Sequence, residues 1–159
     1  DTATTADAWE VLGTRLATQF SNNIRNNFGF LNRSEDSDPN ARDKTFRQEG
    51  RKVFKEVVPI AAAHIEGHLS DLGHAPSAVR RYWLHQANLG MNQLVIKKLA
   101  GDASADLAPL ILDEFANTAS AGSLIAFHHH RADPAAGGVG VICSFGAGYS
   151  VGSVVLRKR

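Results

Sequence analysis

Segments with strand character alternate with segments of helical spacing along this chain, and this alternation limits the fold more than any other feature. The clearest case is residues 80–101, RRYWLHQANLGMNQLVIKKLAG, where an aromatic strand-like run ends at His85 and a helix is predicted over residues 88–100. The residues expected on the buried face of that helix are Met91, Leu94, Val95 and Leu99. Strands that alternate with helices are typical of an α/β fold.

A second helix is predicted from Gly50 onward, because apolar residues recur there every three or four positions. They are Val53, Phe54, Val57, Val58, Ala61, Ile65, Leu69 and Leu72. Pro59 lies inside the pattern and should kink the helix or mark a join between two helices. Gly73 is a plausible residue just past its end. Residues 116–130 predict a loop followed by a further buried helix.

Strands are predicted at three other places. Residues 9–20 predict one or two strands, and residues 108–115, APLILDEF, predict another short one. Residues 138–145 and 149–157 predict a terminal hairpin that joins the same sheet. Between the first strand region and the Gly50 helix, residues 21–45 are rich in Asn, Ser, Asp, Gly and Pro and predict a long surface loop.

Composition excludes several classes of function. Lys and Arg number 17 against 16 Asp and Glu, a balance that argues against nucleic acid or an acidic membrane as the main partner. No apolar run approaches the roughly 20 residues that span a bilayer. The one cysteine, Cys143, cannot form an intrachain disulfide, which favours a reducing, cytoplasmic setting. The chain starts at Asp1 without an initiator Met, which suggests part of a longer protein.

His85 and Asn117 are the candidate functional side chains, since each is predicted to follow a buried strand. Ligands of α/β sheets bind at the carboxyl ends of strands, where two neutral hydrogen-bond donors can converge on one oxygen. The turn Gly146-Ala147-Gly148 could bring backbone N–H groups to the same place. The alternatives are a merely structural histidine, an asparagine that only caps a helix, and an ordinary hairpin turn.

Four motifs in sequence order resemble one family. They are EGRKVFKEVVP (Glu49–Pro59), HQAN (His85–Asn88), ANTASAGS (Ala116–Ser123) and SFGAGYSVGS (Ser144–Ser153). Together they are similar to the C-terminal half of a β-ketoacyl-ACP synthase III, a condensing enzyme of the thiolase fold. The resemblance covers most of residues 46–159. It implies a thiolase-like α/β fold with a mixed sheet flanked by helices, and it makes residues 1–159 the C-terminal domain. The nucleophilic cysteine would belong to an N-terminal half that this chain lacks.

The resemblance also implies a reaction. In the family a cysteine accepts an acyl group from acyl-CoA, and malonyl-ACP then loses carbon dioxide and attacks it to form 3-oxoacyl-ACP. His85 and Asn117 would stabilise the malonyl oxyanion, the backbone N–H of Ala147 would serve a second oxyanion hole, and Asn88 would line the pantetheine tunnel. Both substrates are carried as thioesters, no separate cofactor or metal is implied, and the family implies a homodimer.

Three features depart from the family pattern. The nucleophilic cysteine is absent, since Cys143 matches a buried strand position and is expected to be a small core residue. Ala147 replaces the central glycine of the usual three-glycine turn. Gly90 stands where an arginine often serves the carrier protein, so docking would pass to other basic residues, with Lys97, Lys98 and Arg51 as candidates.

Other functions stay open from the sequence. The chain could be a non-catalytic subunit of a condensing enzyme, an acyltransferase that forms esters, or a head-to-head condensing enzyme. His64 and His68 have the helical spacing of zinc ligands, but no third ligand is evident, and a packing role is favoured. The histidines of HHHR at 128–131 are expected to act as helix-end residues rather than as a metal site.

Overall fold

A four-stranded mixed sheet organises the molecule. The computed structural model describes residues 8–25, 38, 46–101 and 105–159. Within them the sheet has the order β1–β6–β5–β4, and β2 pairs with β3 in a separate two-stranded ribbon. The strands are β1 (Trp9–Thr18), β2 (Ile24–Arg25), β3 (Arg47–Gln48), β4 (Val79–Leu84), β5 (Val139–Gly146) and β6 (Ser150–Lys158). The helices are α1 (Gly50–Asp71), α2 (Leu89–Ala100), α3 (Leu112–Phe115) and α4 (Ala121–His130).

The predicted loop at residues 21–45 can be compared with the structure only in part. Residues 26–37 and 39–45 lie outside the described residues. The short ribbon of β2 and β3 flanks that interval, with Ile24 opposite Gln48 and Arg25 opposite Arg47. The single strand β1 confirms the strand prediction for residues 9–20.

Strand direction decides which chain segments meet. β4 runs parallel to β5, whereas β6 is antiparallel to both β5 and β1. The carboxyl ends of β4, β5 and β1 therefore lie at one edge of the sheet, together with the start of β6. Thr18 at the end of β1 pairs with Ser150 at the start of β6, and Gly146 at the end of β5 pairs with the same serine.

Helix α1 confirms the long helix predicted from Gly50. The join at Pro59 is absent, because residues 50–71 form one continuous α-helix. Pro59 is exposed, so the carbonyl that loses its hydrogen bond can be hydrated. The helix ends in a Schellman motif at Gly73, whose φ is 74°, with the N–H of His74 donating to the carbonyl of Leu69 over 2.9 Å.

Helix α2 confirms the second helix but corrects its buried face. Leu94 was expected to face the core and is instead 38% exposed. The buried positions are Met91, Asn92, Val95, Ile96 and Leu99. They form a stripe of i, i+4 steps, and Leu94 lies to one side of it.

The strand predicted at residues 108–115 is wrong. Leu112–Phe115 form the one-turn helix α3, and the residues before it are irregular. Pro109 has no N–H for a sheet ladder, and the N–H of Ile111 donates to the side chain of Gln86 rather than to a strand. Apolar composition alone did not distinguish this segment from a strand, because the segment is held by a hydrogen bond to the side chain of Gln86 and not by a neighbouring strand.

The two faces of the sheet carry separate hydrophobic clusters. Alternate residues of β5, including Val139, Val141 and Phe145, pack with α1 and α2 on one face. Trp83 packs on the other face, against Phe127 of α4 and Trp9 of β1, with ring centroids 4.9 and 5.4 Å away. The expected mixed sheet flanked by helices is thus confirmed. Among the described residues, no helix has the length and apolar character that crossing a bilayer requires.

Candidate active site

An open cleft of about 630 Å³ lies at the sheet edge where β4 and β5 end. We call it the strand-end cleft. Its walls come from β1, the ribbon, α1, α2, the loop before α4 and the turn between β5 and β6. The lining residues are Leu16, Ile24, Phe46, Gln48, Val53, His85, Ala87, Asn88, Met91, Asn117, Ala119, Ser120, Ser144, Phe145, Gly146, Ala147, Ser150 and Gly152. All four residues singled out from the sequence, His85, Asn88, Asn117 and Ala147, are among them.

His85 follows the last residue of β4 and is 8% exposed. Its ring meets Phe145 of the neighbouring strand edge-on, with centroids 4.7 Å apart. Burial lowers the pKa of His85, and a hydrogen bond to the backbone of Ala119 acts in the opposite direction. Its buried Nδ1 has no partner among the described residues. The imidazole is therefore held neutral, with hydrogen-bonding capacity left over.

Asn117 lies in the exposed loop between α3 and α4. Its side-chain oxygen accepts a hydrogen bond from the N–H of Ala119 over 3.0 Å, which makes a local turn rather than the helix cap considered from the sequence, since α4 begins only at Ala121. With the oxygen occupied, the NH₂ group is the end of the amide left to donate. Ala116 and Ala119 flank it with positive φ of 54° and 55°, sparsely populated backbone conformations that cost on the order of 1–3 kcal/mol each.

Ala147 begins the one-turn 3₁₀ segment that joins β5 to β6. Gly148 in the same turn has φ 69°, a backbone conformation that favours glycine, and Tyr149 adopts a similar φ of 52°. A Cβ at Gly146 would meet no atom within 4 Å. The turn therefore faces open space in the cleft, with the methyl of Ala147 exposed beside it.

Asn88 has a structural role as well as a place in the cleft. Its side-chain oxygen accepts from the N–H of Met91 over 2.9 Å and caps helix α2. The cap fixes the helix start at Leu89, four residues after His85. The carboxamide NH₂ is the end that remains for a ligand.

Sequence reasoning missed two residues, Ser144, which lines the cleft, and Gln86, which lies behind its lining. Gln86 is fully buried and bonds three backbone groups. Ser144 of β5 shares a 2.7 Å hydrogen bond with Ser123 of α4, which ties the strand to the helix after Asn117. The position of Gln86 inside HQAN, directly after an apolar strand, was the available signal for a buried glutamine. No pattern in the sequence indicated the hydrogen bond between Ser144 and Ser123.

The other candidate side chains, Cys143, His64 and His68, are buried in the core of the structure. Cys143 is 1% exposed, and burial raises the pKa of its thiol to about 12, which confirms a core residue rather than a nucleophile. His64 Nε2 and His68 Nδ1 lie 3.0 and 2.7 Å from the hydroxyl of Ser153. Among residues 8–25, 38, 46–101 and 105–159 no group of three or more His, Cys, Asp or Glu side chains is placed to hold a metal ion.

Comparison with known proteins gives a consistent result. A family model described as 3-oxoacyl-[acyl-carrier-protein] synthase III, C terminal, matches residues 69–158. The β-ketodecanoyl-[acyl-carrier-protein] synthase of Pseudomonas aeruginosa is 57% identical over 160 residues, which cover 100% of this chain and 46% of that protein. A β-ketoacyl-[acyl-carrier-protein] synthase III of Oleidesulfovibrio alaskensis is 34% identical over 115 residues, covering 70% and 34% of the two chains.

Solved structures agree with the sequence comparisons. The 3-oxoacyl-(acyl carrier protein) synthase III of Pseudomonas aeruginosa PAO1 matches with a TM-score of 0.75 and 26% identity, over 92% of this chain and 44% of that one. The corresponding Aquifex aeolicus enzyme matches with a TM-score of 0.76 and 22% identity, over 94% and 44%. This chain thus spans less than half the length of these curated relatives and solved structures.

Proposed function

Because the chain belongs to the 3-oxoacyl-ACP synthase III family and has its thiolase-like fold, we propose that it is the C-terminal half of a decarboxylating condensing enzyme of fatty acid biosynthesis. The reaction joins an acyl group from acyl-CoA to malonyl-ACP and gives 3-oxoacyl-ACP. One observation carries the proposal: His85, Asn117, Ala147 and Asn88 come from three distant parts of the chain and line the same cleft.

The chemistry of the pair begins with the malonyl thioester. Its terminal carbon–carbon bond breaks, carbon dioxide leaves, and the electron pair forms an enolate whose oxygen is negative. Hydrogen bonds from His85 and Asn117 would stabilise that oxygen, and the loss of one donor of this kind costs roughly 3–4 kcal/mol of transition-state stabilisation. The lowered pKa of His85 supports this role, because a neutral imidazole donates without a full charge that would protonate or quench the carbanion.

The acyl acceptor must come from outside these 159 residues. Cys143 is buried in the sheet with its thiol pKa raised, so it cannot supply a thiolate to the cleft. We assign the nucleophile to a cysteine in an N-terminal half, at a helix N-terminus that lowers its pKa. The enolate carbon attacks the acyl carbonyl on that cysteine, the carbon–sulfur bond breaks, and the thiolate leaves. The backbone N–H of Ala147 would stabilise the oxyanion of this second step.

A medium-chain primer fits the relatives and the cleft. The relative at 57% identity is named for a ten-carbon β-keto product, and malonyl-ACP contributes two carbons, so an eight-carbon acyl group would be its primer. The cleft of this chain has the apolar lining that such a chain needs, with Ile24, Val53, Met91 and Phe145 among its walls. We assign octanoyl-CoA or a close homologue as the acyl donor.

The remaining partners follow from the surface and the family. Lys97, Lys98 and Arg51 are exposed and could receive the acidic carrier protein in place of the arginine replaced by Gly90. The only cysteine here is a buried free thiol, which supports a reducing, cytoplasmic setting. The reaction uses thioester substrates and draws on no further cofactor, and the family favours a homodimer.

The test separates the two half-reactions in the full-length protein that carries this chain. His85→Ala should abolish carbon dioxide release from malonyl-ACP, while transfer of a radiolabelled octanoyl group from CoA to the protein continues. Asn88→Ala is a useful comparison, because it should weaken thioester binding without removing the oxyanion donors. Decarboxylation at the wild-type rate in His85→Ala would overturn the assignment.

A further inference from the structure

We propose that Gln86 is a positioning residue that sets the distance between His85 and Asn117 and so governs decarboxylation. The proposal rests on the proposed function of those two side chains. Gln86 follows His85 directly in the chain but is not among the residues that line the strand-end cleft. Its carboxamide joins the end of β4 to the segment that leads to Asn117.

Three hydrogen bonds make this joint. Gln86 Nε2 donates to the carbonyl of Leu84 over 3.0 Å and to the carbonyl of Pro109 over 3.4 Å. Gln86 Oε1 accepts from the N–H of Ile111 over 3.2 Å. The first bond fixes the side chain to its own strand, and the other two fix residues 109–111 to that side chain. Both ends of the amide are thus satisfied at a residue with 0% exposure.

The chain after Asn117 is held by the same side chain. A Cβ on Gly122, in the first turn of α4, would lie 2.9 Å from Gln86 Cβ and 3.1 Å from Gln86 Cγ. The helix backbone therefore rests directly on the aliphatic part of Gln86. Asn117 lies between two anchors, Ile111 before it and Gly122 after it, and both anchors are contacts of one residue that neighbours His85.

The hydrogen bonds of Gln86 hold residues 109–111 beside β4, as backbone hydrogen bonds between paired strands would. β4 is an edge of the described sheet, and residues 109–111 form no strand beside it. An apolar residue at position 86 could fill the volume, but it would leave the N–H of Ile111 buried without a partner. Catalytic groups displaced by about 1 Å lose on the order of 100-fold in rate. The amide of Gln86 therefore fills the space and also fixes the orientation of the neighbouring backbone through its hydrogen bonds.

The first test uses Gln86→Met in the full-length enzyme, since methionine keeps the length and removes all three bonds. We expect kcat for malonyl-ACP decarboxylation to fall about 100-fold, with KM for malonyl-ACP and the rate of cysteine acylation within about 2-fold. Ile65→Val is the control, because it trims a fully buried side chain of α1 away from the cleft. It should lower the melting temperature and leave both half-reactions unchanged.

A second variant gives a pH signature. Gln86→Glu places a carboxyl in the same buried site, where burial raises its pKa. The protonated carboxyl has one donor and one acceptor and can rebuild the joint, whereas the carboxylate cannot accommodate the two carbonyls. The ratio of the Gln86→Glu decarboxylation rate to the wild-type rate at the same pH should rise as the pH falls. The new Cβ of Gly122→Ala presses on Gln86 and also lies 3.2 Å from Oγ1 of Thr118, which neighbours Asn117. We expect the resulting shift of this segment to reproduce the selective loss of kcat.

The outcomes are distinct. If Gln86→Met decarboxylates at the wild-type rate, or loses both half-reactions only in step with its melting temperature, Gln86 is a packing residue and the proposal fails. Should Gln86→Met not fold, a flat pH ratio for Gln86→Glu together with full activity of Gly122→Ala overturns it. If His85→Ala itself keeps decarboxylation, the proposed function fails, whatever the Gln86 variants do.

Discussion

The phenol of Tyr149 donates a 2.6 Å hydrogen bond to the carboxylate of Glu56, across 93 residues of sequence. Asn23 donates to the same carboxylate oxygen over 2.8 Å. The turn that carries Ala147 is therefore fastened to α1 and to Asn23, the residue before the ribbon strand β2. Tyr149 itself has φ 52°, and this fastening helps to hold a backbone conformation that a tyrosine rarely adopts.

Removal of the phenol should loosen that turn. In Tyr149→Phe we expect the free energy of unfolding of the full-length protein to fall by about 1–3 kcal/mol, because the change removes both the bond to Glu56 and the 3.1 Å bond that the phenol accepts from Asn23. Urea denaturation measures it. A double-mutant cycle with Glu56→Ala should give a coupling energy of at least about 0.5 kcal/mol. Additive single effects would show that the bond contributes nothing to stability.

Stability should fall as the pH drops below neutrality. Burial lowers the pKa of His64, His68 and His85 from the ordinary 6.5, and the charge of Arg15 lowers the first two further. Since the unfolded chain then binds protons at a higher pH than the folded one, stability is fully present above about pH 6.5. It is lost as the pH falls toward the folded-state pKa values, by no more than about 1.4 kcal/mol per pH unit for each histidine.

Denaturation midpoints between pH 5 and 8 measure this slope. The double variant His64→Gln, His68→Gln should flatten the curve and leave only the contribution of His85 and of groups elsewhere in the full-length protein. An unchanged slope would mean that the pair bracketing Ser153 titrates alike in the folded and unfolded states.

Gly140 should not tolerate a side chain. A Cβ there would lie 2.3 Å from Cζ3 of Trp83, so Gly140→Ala must displace the indole that packs against α4. We expect a loss of roughly 1–3 kcal/mol of stability. Gly50→Ala is the matched control, because a Cβ at this first residue of α1 meets nothing within 4 Å. That control should be neutral or stabilise the protein by up to about 1 kcal/mol. Equal effects of the two changes would contradict the packing described for Trp83.

Cys143 should resist alkylation in the native protein. Its thiol is buried and its pKa is raised to about 12, so neither the thiolate nor a path to it is present near neutral pH. Iodoacetamide at pH 7.5 followed by peptide mapping should find Cys143 unmodified in the native state and modified in urea. Rapid native modification would show that β5 opens readily.

Much of this fold could be predicted from local patterns. The helices at Gly50 and after Asn88 follow from apolar spacing and capping residues, and the terminal hairpin follows from two apolar runs around a glycine turn. The placement of His85 and Asn117 on the wall of one cleft was also predictable, although Asn117 reaches the cleft on a loop after α3 rather than from a strand. The local sequence pattern could not distinguish a loop from a strand here, because the conformation before Asn117 depends on the hydrogen bond between Ile111 and the distant Gln86.

Long-range side-chain contacts account for the features that the sequence did not predict. The side chain of Gln86, and not a neighbouring strand, accepts the hydrogen bond from the N–H of Ile111. The hydroxyl of Ser153 hydrogen-bonds His64 and His68, whose spacing resembled a zinc site. Leu94 shows the same limit on a smaller scale, because which side of a helix is buried depends on its neighbours. Such features arise from contacts between residues far apart in the chain, which a single sequence does not display.

The pairing of β1 with β6 sets the order in which the protein can assemble. Thr18 pairs with Ser150, which is synthesised 132 residues later. At translation rates of about 5–20 residues per second this delay is roughly 7–26 s. Through that interval the first strand has no partner within the sheet and offers an unpaired edge to any other chain nearby. Closure across so long a loop is slow, and the edge of β1 stays unpaired in this sheet until β6 has emerged.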